Sequence, residues 1–213
     1  MWLLRFAAMP TITERFIAGL VATTPLEAVA AIAGLMSVYF SRKEHILVYP
    51  IGLVNTVAYV YLSFKFHLPG EATVNAYYTV MSVYGWYQWS RRNEQQQVVL
   101  HVTRSNAKQW LQQLVFFAAC FIVLFGCIST FKTYFAQGAL PLPDAFAAAT
   151  AFTGMWLMTQ KKVESWYWWI LTNITSIPLY FTKGLVFTSV QYAILLVMAV
   201  MGWYSWYKKS KHA

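Results

Sequence analysis

The feature that constrains this chain most is the recurrence of apolar runs. Seven follow one another between residues 25 and 207, most of them about the length of a membrane helix. They lie at about 25–40, 47–66, 72–89, 111–130, 143–159, 166–181 and 187–207, with ends fixed to within roughly two to four residues. Only 11% of the 213 residues are charged and 59% are hydrophobic, whereas a soluble domain carries about 25% charge. The expectation is an all-α polytopic membrane protein. Residues 1–24 mix Trp2, Leu3, Leu4 and Phe6 with Pro10, Glu14 and Arg15, and read as an amphipathic, interfacial segment ahead of the first span. No cleavable signal pattern is visible in them.

The runs repeat. At a separation of 118 positions Pro25 falls on Pro143, Ala30 on Ala148, Ala33 on Ala151, Lys43 on Lys161, Tyr49 on Tyr167, Asn55 on Asn173 and Lys65 on Lys183. If one residue is lost in the next loop, Gly85-Trp86-Tyr87-x-Trp89 falls on Gly202-Trp203-Tyr204-x-Trp206 at a separation of 117. Three spans (25–92) therefore recur as three spans (143–207). Between them lies a linker (93–142) that carries the fourth, and a basic tail (208–213) closes the chain. Three spans reverse the direction of the chain, and one more restores it. The expected architecture is thus seven transmembrane helices, as two parallel three-helix repeats joined by a linker helix.

The net charge of +9 belongs to topology rather than to nucleic acid, because the basic residues lie between apolar runs. One side carries Arg42, Lys43, Arg91, Arg92, Arg104, Lys108, Lys161, Lys162, Lys208, Lys209 and Lys211. The other carries Arg5, Arg15, Lys65, Lys132 and Lys183. The richer side is expected in the cytoplasm, with the N-terminus outside and the C-terminus inside. His45, His67, His101 and His212 all lie in loops or tails, and no run holds a carboxylate at its centre. There is no metal-binding spacing, no phosphate loop and no catalytic residue to assign, which argues against an enzyme and against proton-coupled pumping. Cys120 and Cys127, seven apart in one run, are too distant for a mutual disulfide.

What remains is a set of neutral polar and aromatic residues. Trp169 and Asn173 are four apart, so they share one helix face deep in an apolar run. A lone amide there costs a few kcal/mol unless it finds a partner. Asn55, Asn75, Gln88 and Gln191 add donors and acceptors, and Tyr180 offers a ring for stacking. Each of these also serves as ordinary helix–helix glue or packing. Pro50 and Pro178 interrupt spans two and six and are candidate hinges, or static kinks.

The combination of Trp169-x-x-x-Asn173, Ser176-Ile-Pro-Leu-Tyr180, Lys183-Gly-Leu, Tyr49-Pro-Ile-Gly-Leu and Met81-Ser-Val-Tyr-Gly-Trp-Tyr-Gln-Trp89 resembles the PnuC family of bacterial vitamin transporters, over about residues 25–207. The resemblance implies a fold related to the SWEET sugar transporters. It implies facilitated uptake of nicotinamide riboside across the bacterial inner membrane, with no cofactor and with a cytoplasmic riboside kinase trapping the substrate. Thiamine, another vitamin or a sugar are the alternative cargoes. Trp169 and the tyrosines would stack on the pyridinium ring, and the Asn and Gln amides would take the carboxamide and ribose hydroxyls. The implied partners are the riboside, the lipid bilayer and the kinase. A homo-oligomer is left open, since no interface is readable.

Overall fold

The computed structural model describes residues 11–65, 69–135 and 138–211. The first ten residues of the expected interfacial segment, with Arg5, lie outside the described residues, as do His67, His212 and the Lys132 side chain. The described chain forms eight helices: α1 (Ile12–Ala22), α2 (Pro25–Arg42), α3 (Val48–Lys65), α4 (Pro69–Ser90), α5 (Ala107–Phe135), α6 (Pro141–Thr159), α7 (Ser165–Thr182) and α8 (Val186–Lys209). Helices α2 to α8 fall on the seven apolar runs. By length and composition, Ala107–Phe131 and Val186–Lys209 are each apolar enough to cross a membrane alone. Helices α1 and α2 pass the same test only together, and they are bent by 105° at their junction.

Local chemistry explains that bend. The Thr24 hydroxyl accepts from the Glu27 N–H at 3.3 Å, and the Glu27 carboxylate accepts from the Thr24 N–H at 2.6 Å. This capping box, followed by Pro25, starts a new helix rather than continuing the old one. Thr11 and Glu14 build the same box at the start of α1. Helix α1 has no buried residue and rests on α8, with Phe16 against Phe187 at 5.6 Å.

Helices α2, α3 and α4 pack in succession, as do α6, α7 and α8. The two groups meet through α2 on α8 and α4 on α6, while α5 packs on α6. The linker ahead of α5 is fastened to the start of α7. Glu164 accepts from the Ser105 N–H at 3.0 Å and hydroxyl at 2.8 Å, and Gln113 donates to that hydroxyl at 2.7 Å. The Trp168 indole in turn donates to Gln113 at 3.2 Å. A buried carboxylate is tolerable here because several donors satisfy it.

The structure corrects the register of the repeat. Helices α2 and α6 end at Arg42 and Thr159, α3 and α7 span Val48–Lys65 and Ser165–Thr182, and α4 and α8 begin at Pro69 and Val186. All these bounds differ by 117. The turns between the first two helices of each group agree in detail. Glu44 and Lys161 both adopt positive φ, at 60° and 51°. The Glu44 N–H donates to the Ser41 carbonyl, as Lys161 does to Met158, and His45 donates to Phe40 as Lys162 does to Leu157. The separation is therefore 117 already at the first turn, and no residue is lost later. A slip of one residue turns a helix face by about 100°. Asn173 consequently stands opposite Thr56, and Asn55 opposite Thr172. The spacing of 118 had aligned alanines, which match one another at many offsets in Ala-rich helices.

The corrected register explains two glycines. The Tyr49 ring of α3 lies where a Cβ on Gly85 of α4 would sit, with ring atoms 2.3 to 2.5 Å from it. The Trp166 ring of α7 lies on Gly202 of α8 in the same way, at 2.4 to 2.6 Å. Each glycine is a seat for a flat ring from the helix before it. The Tyr49 hydroxyl and the Trp166 indole N–H are both buried without a partner, so these rings are held by shape. Pro50, expected to interrupt a span, lies in the first turn of α3, where a missing N–H costs nothing. Pro178 does lie inside α7.

Gly202→Ala and Gly85→Ala are each expected to destabilise by about 1–3 kcal/mol, because a rigid buried ring must shift. Gly126→Ala, where nothing lies within 4 Å, should be neutral or mildly stabilising. Thermal unfolding of the three variants in detergent checks this.

Candidate functional site

Helix α7 carries the core of the site. Its first residues place Trp166 and Trp168 in the interior, so Trp169 turns toward α4 and α6. The Trp169 indole rests against Gly154 of α6, where an added Cβ would stand 3.2 Å away, and lies 6.2 Å from the Tyr78 ring of α4. Phe152 of α6 completes the wall. It stacks on Tyr77 at 4.1 Å and meets Tyr78 edge-on at 6.1 Å, and the Tyr77 hydroxyl donates to its carbonyl at 3.0 Å. Four rings and one glycine, from three helices, thus form an aromatic cluster.

One turn further along α7 lies Asn173. It is 4% exposed and makes no hydrogen bond among the described residues. Its neighbour Thr172 is committed, its hydroxyl lying 2.9 Å from both the Trp168 carbonyl and the Thr150 hydroxyl. The amide beside this cluster is therefore an unspent polar group of α7 among the described residues, as are the Ser165 hydroxyl and the Trp166 indole at the start of the helix.

The other expected site residues divide. Asn55 donates to the Ala30 carbonyl of α2 at 2.7 Å and fills the notch at Gly34, which makes it a helix–helix bond. Asn75 donates to the Glu71 carbonyl of its own helix at 2.9 Å. Gln88, half-buried, binds the Tyr84 hydroxyl and Arg91 near the basic end of α4. Tyr180 stacks on Tyr192 of α8 at 5.1 Å, nearly parallel, toward the other end of α7. Gln191 precedes Tyr192, is half-buried, and has no hydrogen bond among the described residues. Trp169 and Asn173 are thus brought together as expected. Tyr77, Phe152, Gly154 and Tyr192 were not singled out, and only their spacing on helices not yet docked could have found them. Among the described residues no three His, Cys, Asp or Glu side chains could hold a metal ion, and Cys120 and Cys127 are free.

The basic end of these helices is closed by contacts between α2–α4 and α6–α8. At the basic end the Trp89 indole donates to the Met158 carbonyl at 3.3 Å, and the Trp206 indole donates to the Ser41 carbonyl at 3.0 Å. Trp89 and Trp206 differ by 117, as do Ser41 and Met158, so one bond is the counterpart of the other. The Ser41 hydroxyl meets the Met158 sulfur at 2.9 Å, and the two indoles lie 6.0 Å apart. Glu44 takes Lys161 at 2.7 Å and Lys209 at 2.9 Å, and the Lys161 ammonium also stands 4.6 Å above the Trp89 ring. At the opposite end Lys183, just past α7, pairs with Asp144 of α6 at 2.6 Å, within one group of helices.

Comparison with known proteins adds an independent line. A family described as "Nicotinamide mononucleotide transporter" matches residues 24–208. The chain is 28% identical over 206 residues to the "Nicotinamide riboside transporter PnuC" of Escherichia coli, covering 87% of this chain and 86% of that one. It is 24% identical over 183 residues to the "Riboflavin/roseoflavin transporter RibM" of Streptomyces davaonensis, covering 86% and 84%. A solved structure described as "Crystal structure of the Vitamin B3 transporter PnuC" shares the fold. It aligns with a TM-score of 0.68 at 24% identity, covering 94% of this chain and 88% of that one.

The basic end is sensitive to acid. Burial opposes the charge on Glu44, but the hydrogen bonds and charges of Lys161 and Lys209 outweigh it and hold the carboxyl below its ordinary value of 4.5. Burial lowers Lys162 in the opposite sense, by disfavouring its ammonium. Because the folded state holds Glu44 at a lowered value, its stabilisation is present above the unfolded carboxylate value. It is lost as pH falls through the folded one. Glu44→Gln is expected to lower the unfolding temperature at neutral pH, and the gap from the unsubstituted protein should close in acid below about pH 4. An unfolding series over pH checks it.

Proposed function

Because the chain belongs to the nicotinamide mononucleotide transporter family, in which PnuC proteins are its relatives, we propose that it is a facilitator of nicotinamide riboside uptake. The observation that carries this reading is the pairing on α7 of Trp169 in an aromatic cluster with Asn173, a buried amide that makes no hydrogen bond among the described residues. The pyridinium face of the riboside suits the indole, and its carboxamide is a complement to an asparagine amide. Tyr180, stacked on Tyr192, and Gln191 stand further along as contacts for a ribose end, with Asn75 at the same end of α4. Asn55 supports α2, and Gln88 acts at the rim.

The family description names a mononucleotide and the relatives name a riboside and a riboflavin. All three are heterocycles carrying a sugar or sugar-alcohol chain. The cluster is made of rings beside a neutral amide, and among the described residues no cation that a phosphate would need stands in it. This favours the riboside over its phosphate. A flavin is the second reading, favoured by the similarity to RibM.

In the proposed cycle, helices α2 to α8 cross the inner membrane seven times. Residues 25–92 and 143–207 form parallel halves, 93–142 the linker and 208–213 a cytoplasmic tail, with the N-terminus outside. The halves rock about the site in alternating access. Opening toward the cytoplasm breaks the bonds of Trp89 to Met158 and Trp206 to Ser41, and closing remakes them. Pro178 is the remaining hinge candidate. A cytoplasmic kinase would then trap the riboside by phosphorylation.

Calorimetric binding to the detergent-purified protein tests the cargo, with the mononucleotide, thiamine and riboflavin as rivals. The riboside should bind at least about tenfold tighter than any rival. Trp169→Ala and Asn173→Ala should each weaken it by about tenfold or more. Asn55→Ala should lower stability while leaving affinity within about threefold. Unchanged affinity in Asn173→Ala would remove that residue from the site.

A further inference from the structure

An open groove of about 510 Å³ lies at the basic end, where α2 ends against α8. It is lined by Arg42, Met201, Tyr204, Ser205, Lys208 and Lys209. Three observations bear on what fills it. The Arg42 Nε–H is buried and has no partner, and the terminal nitrogen has only a Met201 sulfur at 3.9 Å. A guanidinium N–H withdrawn from water without an acceptor is costly, so an acceptor from outside the chain is called for. The charge is also unbalanced. Glu44 already serves Lys161 and Lys209, and among the described residues Arg42 and Lys208 form no ion pair. The carbonyls at the ends of α2 and α8 offset only part of this.

The third observation is a stripe. Val190, Ile194, Val197, Met201 and Tyr204 are all exposed and follow one another at steps of three and four, so they share one face of α8, and the next step is Lys208. This apolar track is about 21 Å long and runs directly into the cationic groove. A free phosphate or a soluble anion has no use for it. An acyl chain ending in an anionic head does.

We infer that the groove is a binding site for an anionic phospholipid. Its phosphodiester is held by Arg42 and Lys208, with Lys209 at the rim, and its chain lies along the α8 stripe. Basic pockets between helices at a membrane surface bind such headgroups by this chemistry. The headgroup ties the end of α2 to the end of α8, across the two groups of helices. The inference does not rest on the identity of the cargo.

Native mass spectrometry of the full chain released from nanodiscs of equal phosphatidylglycerol and phosphatidylcholine tests it. Bound phosphatidylglycerol should exceed phosphatidylcholine by about tenfold or more, and Arg42→Gln with Lys208→Gln should abolish the excess. Arg92→Gln with Lys108→Gln, the same charge loss on the same end outside the groove, should keep it. Added inorganic phosphate should not displace the lipid. Equal retention of the two lipids in the unsubstituted protein would overturn the inference without any variant. So would an equal loss in the control pair, or displacement by phosphate alone.

Discussion

Two indole hydrogen bonds hold the architecture at its basic end. Trp89 reaches from α4 to the last turn of α6, and Trp206 reaches from α8 to the last turn of α2. Each indole takes the second lone pair of a carbonyl that already accepts from the N–H of the following turn, Glu44 on Ser41 and Lys161 on Met158. Each bond therefore satisfies a buried indole N–H in a setting where an unsatisfied group is expensive. The bonds are counterparts at a separation of 117, and so are the partners in the contacts Ser41–Met158 and Glu44–Lys161. When equivalent residues of two similar units touch one another, they lie beside the axis that relates the units. The seam is thus made of the same few positions used twice, and chemistry breaks the equivalence only where charge requires it, with a glutamate facing a lysine.

Much of this was legible in the sequence. Apolar runs gave the helices to within a few residues, since little besides a helix satisfies the backbone of a long apolar segment. The spacing Gly-Trp-Tyr-x-Trp marked both α4 and α8, but its meaning lay in the positions that looked incidental. Gly85 and Gly202 are seats for rings from the preceding helix, and Trp89 and Trp206 cross to the other group. A single sequence reports that a pattern recurs. It does not report which side chain docks on which helix, because that depends on packing between distant segments. Register failed for a related reason. Coincidental identities, several of them between alanines and lysines, favour 118 over the first two helices, and the backbone geometry of Glu44 and Lys161 was needed to find 117.

The register matters to the site. At 118 the two asparagines appeared as a matched pair with one role. At 117 each stands opposite a threonine, and their surroundings differ accordingly. Asn55 bonds the backbone of α2, whereas Thr56 takes the Thr79 hydroxyl at 3.0 Å. On α7 the threonine, Thr172, does the bonding and the amide is left over. One unit spends its asparagine on structure, and the other keeps it in reserve beside four aromatic rings. An asymmetric ligand needs such a departure from symmetry, because a ring and a polar chain cannot both be met by two identical walls.

The distribution of charge follows the same economy. The ion pairs among described residues lie at the two ends, Glu44 with Lys161 and Lys209 at one and Asp144 with Lys183 at the other. Between them the middle of α7 uses threonine, serine, asparagine and rings. Interactions at the ends can exchange with water and ions when they part, so breaking them costs far less than exposing an unpaired charge in the interior. Interactions in the middle have no such substitute, and there the chain places groups that a neutral or singly cationic aromatic ligand can satisfy. The seam between the two groups is thus charged only at its basic end, where water can replace what parts, and its centre is left to neutral polar groups and rings.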